Sequence, residues 1–162
     1  MRLRNILLTG LLLLVSATGH AQTCNDRMRA TTPDSRFELS GDEVKDLQTG
    51  LVWQRCSVGQ QWDGTTCTGS ATTHTWPAAL ALATGNWRLP NIKELASIVE
   101  TACHSPAINL AMFPNTASGS YWSSSPDVGY SYNAWYVYFY YGEDGTVSKH
   151  YDLYVRLVRG GQ

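Results

Sequence analysis

All nine tyrosines of the chain lie between Tyr121 and Tyr154, where serine, asparagine and glycine are also frequent. A tyrosine offers an apolar ring and a polar hydroxyl, and only two side-chain torsions must be fixed when it binds a partner. Serine, asparagine and glycine supply hydrogen bonds that adapt to different ligands. This combination is typical of a recognition surface, so the sequence favours a binding module over an enzyme.

Residues 134–141 alternate in the manner of a β-strand, in which successive side chains point to opposite faces. The two predicted faces are Trp135, Val137 and Phe139, which we assign to the core, and Tyr136, Tyr138 and Tyr140. The tyrosine face is either exposed for recognition or covered by a loop. Because each buried hydroxyl needs a hydrogen-bond partner, the repetition of tyrosine favours recognition.

The predicted ligand surface combines this face with nearby polar residues. Tyrosine rings would supply stacking, while Asn133, Asp144 and His150 would supply directed hydrogen bonds. The candidate ligand-binding residues are Tyr130, Tyr132, Asn133, Tyr136, Tyr138, Tyr140, Asp144, Lys149, His150 and Tyr151. No catalytic residue, metal ligand or cofactor is predicted. The ligand is either an extracellular glycan or a surface protein, and the oligomeric state stays open because exposed aromatic residues can also mark self-association.

Residues 1–21 are predicted to be a secretory signal peptide. Arg2 and Arg4 precede a short leucine-rich run, and small residues lead to a cleavage site after Ala21. The apolar run is too short to span a bilayer, so no membrane insertion is expected after cleavage. Lipidation of Cys24 is a weaker alternative, because the residues before it do not suit a lipidation motif. We expect a secreted or periplasmic protein, or one held at the cell surface.

After this leader we divide the chain into an N-terminal arm, residues 22–35, and one domain, residues 36–162. A segment of about 140 residues is long enough to bury a core of its own. The whole chain has 12 basic and 13 acidic residues. Because phosphate binding needs clustered Lys and Arg, and no such run follows the leader, nucleic acid is not an expected partner.

Four cysteines in an exported chain predict two disulfides, for which three pairings are possible. We favour Cys56 with Cys67, because these two flank a short segment rich in turn-forming residues. Cys24 would then tie the N-terminal arm to Cys103. A zinc site is disfavoured, since the cysteines lack Cys-x-x-Cys spacing.

The hydrophobic pattern predicts an α+β domain in which two helices pack against a mostly antiparallel sheet. Trp76 and Pro77 begin the first helix, which an alanine-rich segment continues to residue 83. The second helix has Asn91 as its N-cap and Glu94 three residues later, the pattern of a capping box. The predicted strands form a hairpin within residues 37–54 and continue at 121–124, 134–141, 146–149 and 154–159, with a turn at 142–145.

Several ordered motifs match those of a known family. They are Val44-x-Asp46-x-x-Thr49-Gly50-Leu51-x-Trp53, Trp87-Arg88-Leu89-Pro90-Asn91-x-Lys93-Glu94-Leu95, Tyr121-Trp122-Ser123-Ser124, Ala134-Trp135-x-Val137-x-Phe139 and Val155-Arg156-Leu157-Val158-Arg159-Gly160-Gly161. On these motifs the chain resembles the Lcl C-terminal domain family of exported bacterial proteins. The resemblance implies a C-type lectin-like fold in which the last strands and their loops form the ligand face.

The resemblance also implies adhesion, and the adhesin that gives the family its name is associated with sulfated glycosaminoglycans. Sulfate recognition relies on clustered Arg and Lys. The candidate face offers only Lys149, His150 and Arg156. We therefore expect aromatic stacking and neutral hydrogen bonds to dominate any sugar binding.

The same fold suggests two alternatives. Diversity-generating retroelements vary Tyr, Ser, Asn, Asp and His on a fixed scaffold, and this chain has such residues at Tyr130, Ser131, Tyr132, Asn133, Tyr136, Tyr138, Tyr140, Asp144, Ser148, His150, Tyr151 and Asp152. Formylglycine-generating enzymes have a related fold but need late reactive cysteines, whereas the last cysteine here is Cys103. Ser123–Ser125 and the scattered histidines lack nucleophile-elbow spacing, so we predict no enzymatic activity.

Overall fold

The computed structural model describes residues 21–160, so the predicted signal peptide lies outside the described residues except for Ala21. The α+β prediction is confirmed, with helices α1 (Trp76–Ala81) and α2 (Ile92–Ser97). The strands are β1 (Thr23–Cys24), β2 (Phe37–Ser40), β3 (Glu43–Asp46), β4 (Val52–Gln54), β5 (Gln61–Trp62), β6 (Cys67–Thr68), β7 (Thr73–His74), β8 (Cys103–His104), β9 (Ser120–Pro126), β10 (Asn133–Tyr138), β11 (Glu143–Ser148), β12 (Leu153–Tyr154) and β13 (Val158–Arg159).

Two larger sheets replace the single predicted sheet. One has five strands in the order β11-β10-β9-β12-β7, and the other has four in the order β13-β4-β3-β2. All neighbours are antiparallel except β12 and β9, which run parallel. The β1–β8 and β5–β6 pairs form separate two-stranded sheets.

The β10–β11 hairpin turns earlier than the sequence predicted. Residues 139–142 form the turn, and Glu143 already pairs with Tyr138. Phe139 and Tyr140 leave the ladder because their carbonyls accept hydrogen bonds from Ala107 and Ser105. The predicted strand over 134–141 therefore ends at Tyr138, and the predicted turn at 142–145 is wrong.

The last predicted strand, 154–159, is interrupted because it serves both larger sheets. Tyr154 pairs with Tyr121 in the five-stranded sheet, while Val158 pairs with Trp53 in the four-stranded sheet. Residues 155–157 cross from one sheet to the other, and they are buried. This crossing brings Arg156 into the interior.

Both faces of the five-stranded sheet are covered. Val137 and Tyr121 belong to a large apolar cluster that includes the α2 residue Leu95. Ala134 and Trp122 belong to a second cluster with Ala79 of α1. Residues of β9 and β10 therefore pack against apolar side chains on both faces of the sheet.

The helices and the disulfides follow the sequence closely. The capping box of α2 forms, with the Asn91 side chain accepting from the Glu94 amide. α1 ends at Ala81 instead of residue 83, and Ala79 is its one buried residue. The favoured disulfides, Cys24–Cys103 and Cys56–Cys67, are confirmed. No helix within residues 21–160 is long and apolar enough to cross a membrane.

Candidate ligand surface

The candidate residues divide between the two ends of the β10–β11 hairpin. Asn133 pairs with Ser148 at one end, and Tyr138 pairs with Glu143 at the other. A strand of this length separates its ends by roughly 17 Å. At the first end lies a group that we call the loop rim, consisting of Tyr130, Tyr132, Asn133, Lys149, His150 and Tyr151. At the other lies a group that we call the turn cluster, consisting of His104, Tyr138, Tyr140 and Tyr141.

Two exposed tyrosines dominate the loop rim. Tyr130 is 59% exposed and Tyr132 is 61% exposed, and their ring centroids lie 6.1 Å apart. The loop between β9 and β10 is ordered by Asp127, whose carboxylate accepts from the Gly129 and Tyr130 amides. The Asn133 amide in turn donates to the Tyr130 carbonyl at 2.8 Å. The rings are thus presented to solvent by a loop with its own hydrogen bonds.

Lys149 joins the β9–β10 loop to the loop after β11. Its amide donates to the Tyr132 carbonyl at 2.9 Å, and its ammonium donates to the Ser131 carbonyl at 2.5 Å. The same ammonium lies 4.6 Å from the ring centroid of Trp76. The loop rim is therefore one connected surface, and its lysine is already engaged within the protein.

His150 and Tyr151 complete the loop rim. Both are exposed, and Tyr151 retains 61% of its accessible area. The Tyr151 amide donates to the Ser148 carbonyl at 3.0 Å, which closes the turn after β11. The structure thus brings six of the ten predicted ligand residues together.

Tyr136 does not belong to an exposed tyrosine face. It is half-buried and packs against the second apolar cluster. Its ring also lies over Gly145 on β11, where an added Cβ would approach the Tyr136 hydroxyl to 2.9 Å. The predicted face of Tyr136, Tyr138 and Tyr140 is corrected, because all three are half-buried and Tyr140 lies in the turn.

The turn cluster contains two residues that sequence reasoning missed. The rings of Tyr138 and Tyr140 are stacked with centroids 5.8 Å apart, and Tyr141 meets Tyr140 edge-on at 4.5 Å. His104 lies 6.3 Å from Tyr141. Tyr141 could have been included among the candidate ligand residues because it is a tyrosine of the same segment, but no local pattern links it to His104. Their proximity depends on the pairing of the Tyr140 carbonyl with the Ser105 amide.

Asp144 lies on the face of the five-stranded sheet opposite to that of Tyr136, because it pairs with Val137. It borders a cavity of about 230 Å³ with Trp135, Ile92, Lys93 and Ala96. Trp135 is half-buried there, so its assignment to the core is only partly right. The pairing with Val137 also places Asp144 near the turn end of the β10–β11 hairpin, so it lies away from the loop rim.

Two of the three serines after Trp122, Ser123 and Ser125, hold the sheet to the two helices. The Ser123 hydroxyl donates to the Trp135 carbonyl at 2.8 Å, where the β9–β10 register shifts. The Ser123 carbonyl accepts from the Trp76 indole at 2.8 Å, and the Ser125 hydroxyl accepts from the Ile92 amide at 3.0 Å. The serines thus lie at an irregularity of β9 and join the strand to α1 and α2.

Asp46 organises the turn between β3 and β4. It is fully buried and receives hydrogen bonds from Arg36 at 2.8 and 2.5 Å and from the Thr49 hydroxyl at 2.7 Å. Burial by itself would raise the pKa of Asp46, but the hydrogen bonds from Arg36, Thr49 and the Gln48 amide outweigh it. They hold the pKa below its ordinary value.

Arg88 and Glu94 fix the entry to α2. The guanidinium donates to both carboxylate oxygens at 2.7 Å, and the same carboxylate accepts from the Asn91 amide. Burial opposes ionisation of Glu94, yet these hydrogen bonds hold its pKa below the ordinary value. One carboxylate thereby completes both an ion pair and a capping box.

Arg156 is a buried cation without a carboxylate partner among the described residues. Its guanidinium donates to the carbonyls of Gln54 and Arg55 and to the hydroxyls of Ser57 and Thr116. Burial lowers the pKa of Arg156 to about 10, which still leaves it charged at neutral pH. The expectation that Arg156 lies on the candidate face is wrong, because the crossing between the sheets takes it inside.

Glu100 ties the N-terminal arm to the domain, a role that no sequence motif revealed. It is 4% exposed and accepts from the Thr31 and Thr32 amides at 3.1 and 2.7 Å. The Ala102 amide donates to it at 2.9 Å. Burial works to raise the pKa of Glu100, but these amide donors hold it below the ordinary value.

Comparison with known proteins tests the family resemblance that the sequence motifs suggested. The sequence model of the Lcl C-terminal domain family matches residues 42–159, which is most of the chain. The chain belongs to the Lcl C-terminal domain family. No curated protein and no solved structure matched it significantly.

Within this Lcl C-terminal domain, the residues of the recognised motifs build the scaffold. Asp46, Glu94 and Arg156 are held by several hydrogen bonds each, and Trp53 and Trp122 are fully buried. The loop rim lies inside the matched segment but outside these motifs. Among residues 21–160, no group of three or more His, Cys, Asp and Glu side chains is placed to hold a metal ion.

Proposed function

We propose that this protein is an exported, lectin-like binding and adhesion module that recognises an extracellular glycan or a surface protein. We assign recognition to the loop rim and infer a C-type lectin-like arrangement of the domain. One observation carries the proposal: two loops joined through Lys149 present three tyrosines, each about 60% exposed, on one surface. Exposed tyrosines on an ordered loop offer contact area with little conformational entropy to lose.

The charges of the loop rim favour an uncharged ligand. Its lysine ammonium already donates to the Ser131 carbonyl and lies over the Trp76 ring, so it offers a sulfate group fewer free donors than an unengaged lysine would. Asp127 and Asp152 lie beside the rim and would oppose an anion. Recognition is therefore proposed to rest on ring stacking and neutral hydrogen bonds, with a weak dependence on salt.

A binding role agrees better with the site than catalysis does. The Ser123 hydroxyl is buried and bonded to a strand carbonyl, so it is not available as a nucleophile. The two disulfides are compatible with an exported protein. We accordingly propose that the protein binds its partner without transforming it.

The experiment is binding of the oxidised protein, residues 22–162, to a glycan array that includes sulfated polysaccharides. The test variant changes Tyr130, Tyr132 and Tyr151 to serine. A matched control changes Met28, Leu39 and Leu47 to serine, because these apolar side chains are also about half exposed. We expect selective binding to some glycans. The binding signal of the rim variant should be at least about tenfold lower than that of the parent, and the control should bind as the parent does. Equal binding by the rim variant would reject the loop rim.

A second candidate is the variable target protein of a diversity-generating retroelement. None of the twelve residues in the variable set is buried, whereas the intervening Ala134, Val137 and Phe139 are all buried. Such a division would let the surface change while the core stays fixed. Sequencing of the gene neighbourhood tests it: a near-copy of the 3′ coding segment beside a reverse transcriptase gene supports this candidate, and a neighbourhood without both rejects it.

A further inference from the structure

A cleft of about 600 Å³ opens beside the Cys56–Cys67 disulfide. Its volume lies in the usual range for small-molecule sites. Helix α1 separates it from the loop rim, because Trp76 at the start of α1 contacts Lys149, whereas Leu82 after its end lines the cleft. The cleft is thus a different surface from the one assigned to recognition above.

An indole ring forms a fixed platform in this cleft. The Arg55 guanidinium lies 4.1 Å from the centroid of the Trp62 ring. Arg55 is itself buried, and it donates to the carbonyls of Met112 and Ala111 at 3.0 Å each. Because Trp62 lines the cleft and Arg55 does not, the cation supports the ring from the protein side. An aromatic ring held in this way suits the apolar C–H face of a sugar ring.

The polar groups around the platform divide into fixed and available ones. The Gln60 side chain is fixed, because its Oε1 accepts from the Ser57 amide and its Nε2 donates to the Asn115 carbonyl, both at 3.1 Å. The side chains of Gln54, Gln61 and Asp42 make no hydrogen bond to any other residue within 21–160. Two amides and a carboxylate offer both donors and acceptors to neighbouring hydroxyls.

The charge of the cleft narrows the ligand class. No Lys or Arg lines it, and Asp42 is its single acidic residue. An anionic sugar would meet this carboxylate with no cation among the lining residues to offset it. We propose that this cleft is a second binding site, which takes the end of a neutral saccharide with one pyranose ring on Trp62 and its hydroxyls bound by Gln54, Gln61 and Asp42.

The test is a titration followed by the indole N–H signals of the oxidised ¹⁵N-labelled protein, residues 22–162. The probes are maltotriose, cellotriose and triacetylchitotriose, with trigalacturonic acid as the charged comparison. The Trp62→Phe variant identifies the Trp62 signal by its loss. We expect at least one neutral trisaccharide to shift this signal saturably, with trigalacturonic acid binding more weakly.

Variants then separate the cleft from the loop rim, with affinity read from the Gly59 amide, which lines the cleft. We expect Trp62→Ala to weaken binding at least about tenfold and the exposed Gln61→Ala about threefold, while the rim variant binds as the parent does. The proposal is overturned if no neutral trisaccharide shifts Trp62 at about 10 mM, a very weak affinity. It is also overturned if Trp62→Ala binds normally. A response of Trp76 alone rejects the cleft but supports the loop rim.

Discussion

The buried charged side chains and the exposed tyrosines of this chain differ in how firmly the protein holds them. Asp46, Glu100 and Arg156 each have at least four hydrogen bonds and almost no contact with solvent. The side chains of Tyr130 and Tyr151 have no hydrogen bond to any other residue in the described part of the chain. Substitution in the first group should therefore affect folding, and substitution in the second should affect binding.

The largest effect is expected at Arg156. Changing it to methionine keeps the apolar bulk but removes the donor that the Gln54 and Arg55 carbonyls and the Ser57 and Thr116 hydroxyls share. We expect the free energy of unfolding to fall by about 3–5 kcal/mol, because each polar group left unsatisfied in the interior costs roughly 1–3 kcal/mol. Urea denaturation of the oxidised protein measures it.

Arg156→Lys is the matched control for this prediction. It keeps the charge but has a single nitrogen, so it reaches fewer of the four acceptors and should lose less stability than the methionine variant. A methionine variant as stable as the parent would contradict a structural role for Arg156. The buried charged side chains would then no longer differ from the exposed tyrosines in their effect on stability.

The next effect is expected at Asp46. Asp46→Asn removes the charge that Arg36 and Thr49 bind, and it places an amide against the guanidinium. We expect a loss of about 2–3 kcal/mol in the free energy of unfolding. An Arg36→Met variant and the double variant complete a thermodynamic cycle, and additive losses would show that the pair is not coupled.

The sequence predicted the elements whose signals are local. The capping box of Asn91 and Glu94 and the short loop between Cys56 and Cys67 are contained within a few residues, and both formed as expected. The turn after Tyr138 was misplaced because partners distant in sequence, around residues 105–107, take its backbone groups. Hydrophobic alternation alone cannot reveal such competition.

The same distinction explains the candidate site. Composition predicted Tyr130, Tyr132 and Tyr151 as ligand residues from their type, and the structure shows that all three are exposed. It also assigned Tyr136 to that surface, because composition could not reveal the second apolar cluster that packs against Tyr136. Part of that cluster comes from α1 and residues 153–157, which are distant from Tyr136 in sequence. Nor could spacing show that Lys149 is engaged by Trp76, which lies far away in sequence. Residue type predicted what could bind, and tertiary packing decided what is available.

A smaller, pH-dependent effect is expected from Glu100. The pKa of Glu100 in the folded protein is held below its ordinary value. Its contribution to the free energy of unfolding is therefore fully present above the ordinary pKa and is lost as the pH falls through the pKa of the folded protein. Glu100→Gln should be less stable at neutral pH by about 1–2 kcal/mol. It should also lose less stability than the parent on acidification. Urea denaturation between neutral and acidic pH measures both, and parallel pH profiles would contradict the assignment.

The smallest effect on stability is expected from the tyrosines of the loop rim. Changing Tyr130, Tyr132 and Tyr151 to serine removes rings that are about 60% exposed, so the free energy of unfolding should fall by less than about 0.5 kcal/mol per residue. Tyr136→Ser is the comparison, because it removes a ring packed against the second apolar cluster and should cost about 1–3 kcal/mol. Thermal and urea denaturation of both variants measure the difference. Equal losses would mean that the rim rings also stabilise the fold, and the separation between scaffold and ligand surface would fail.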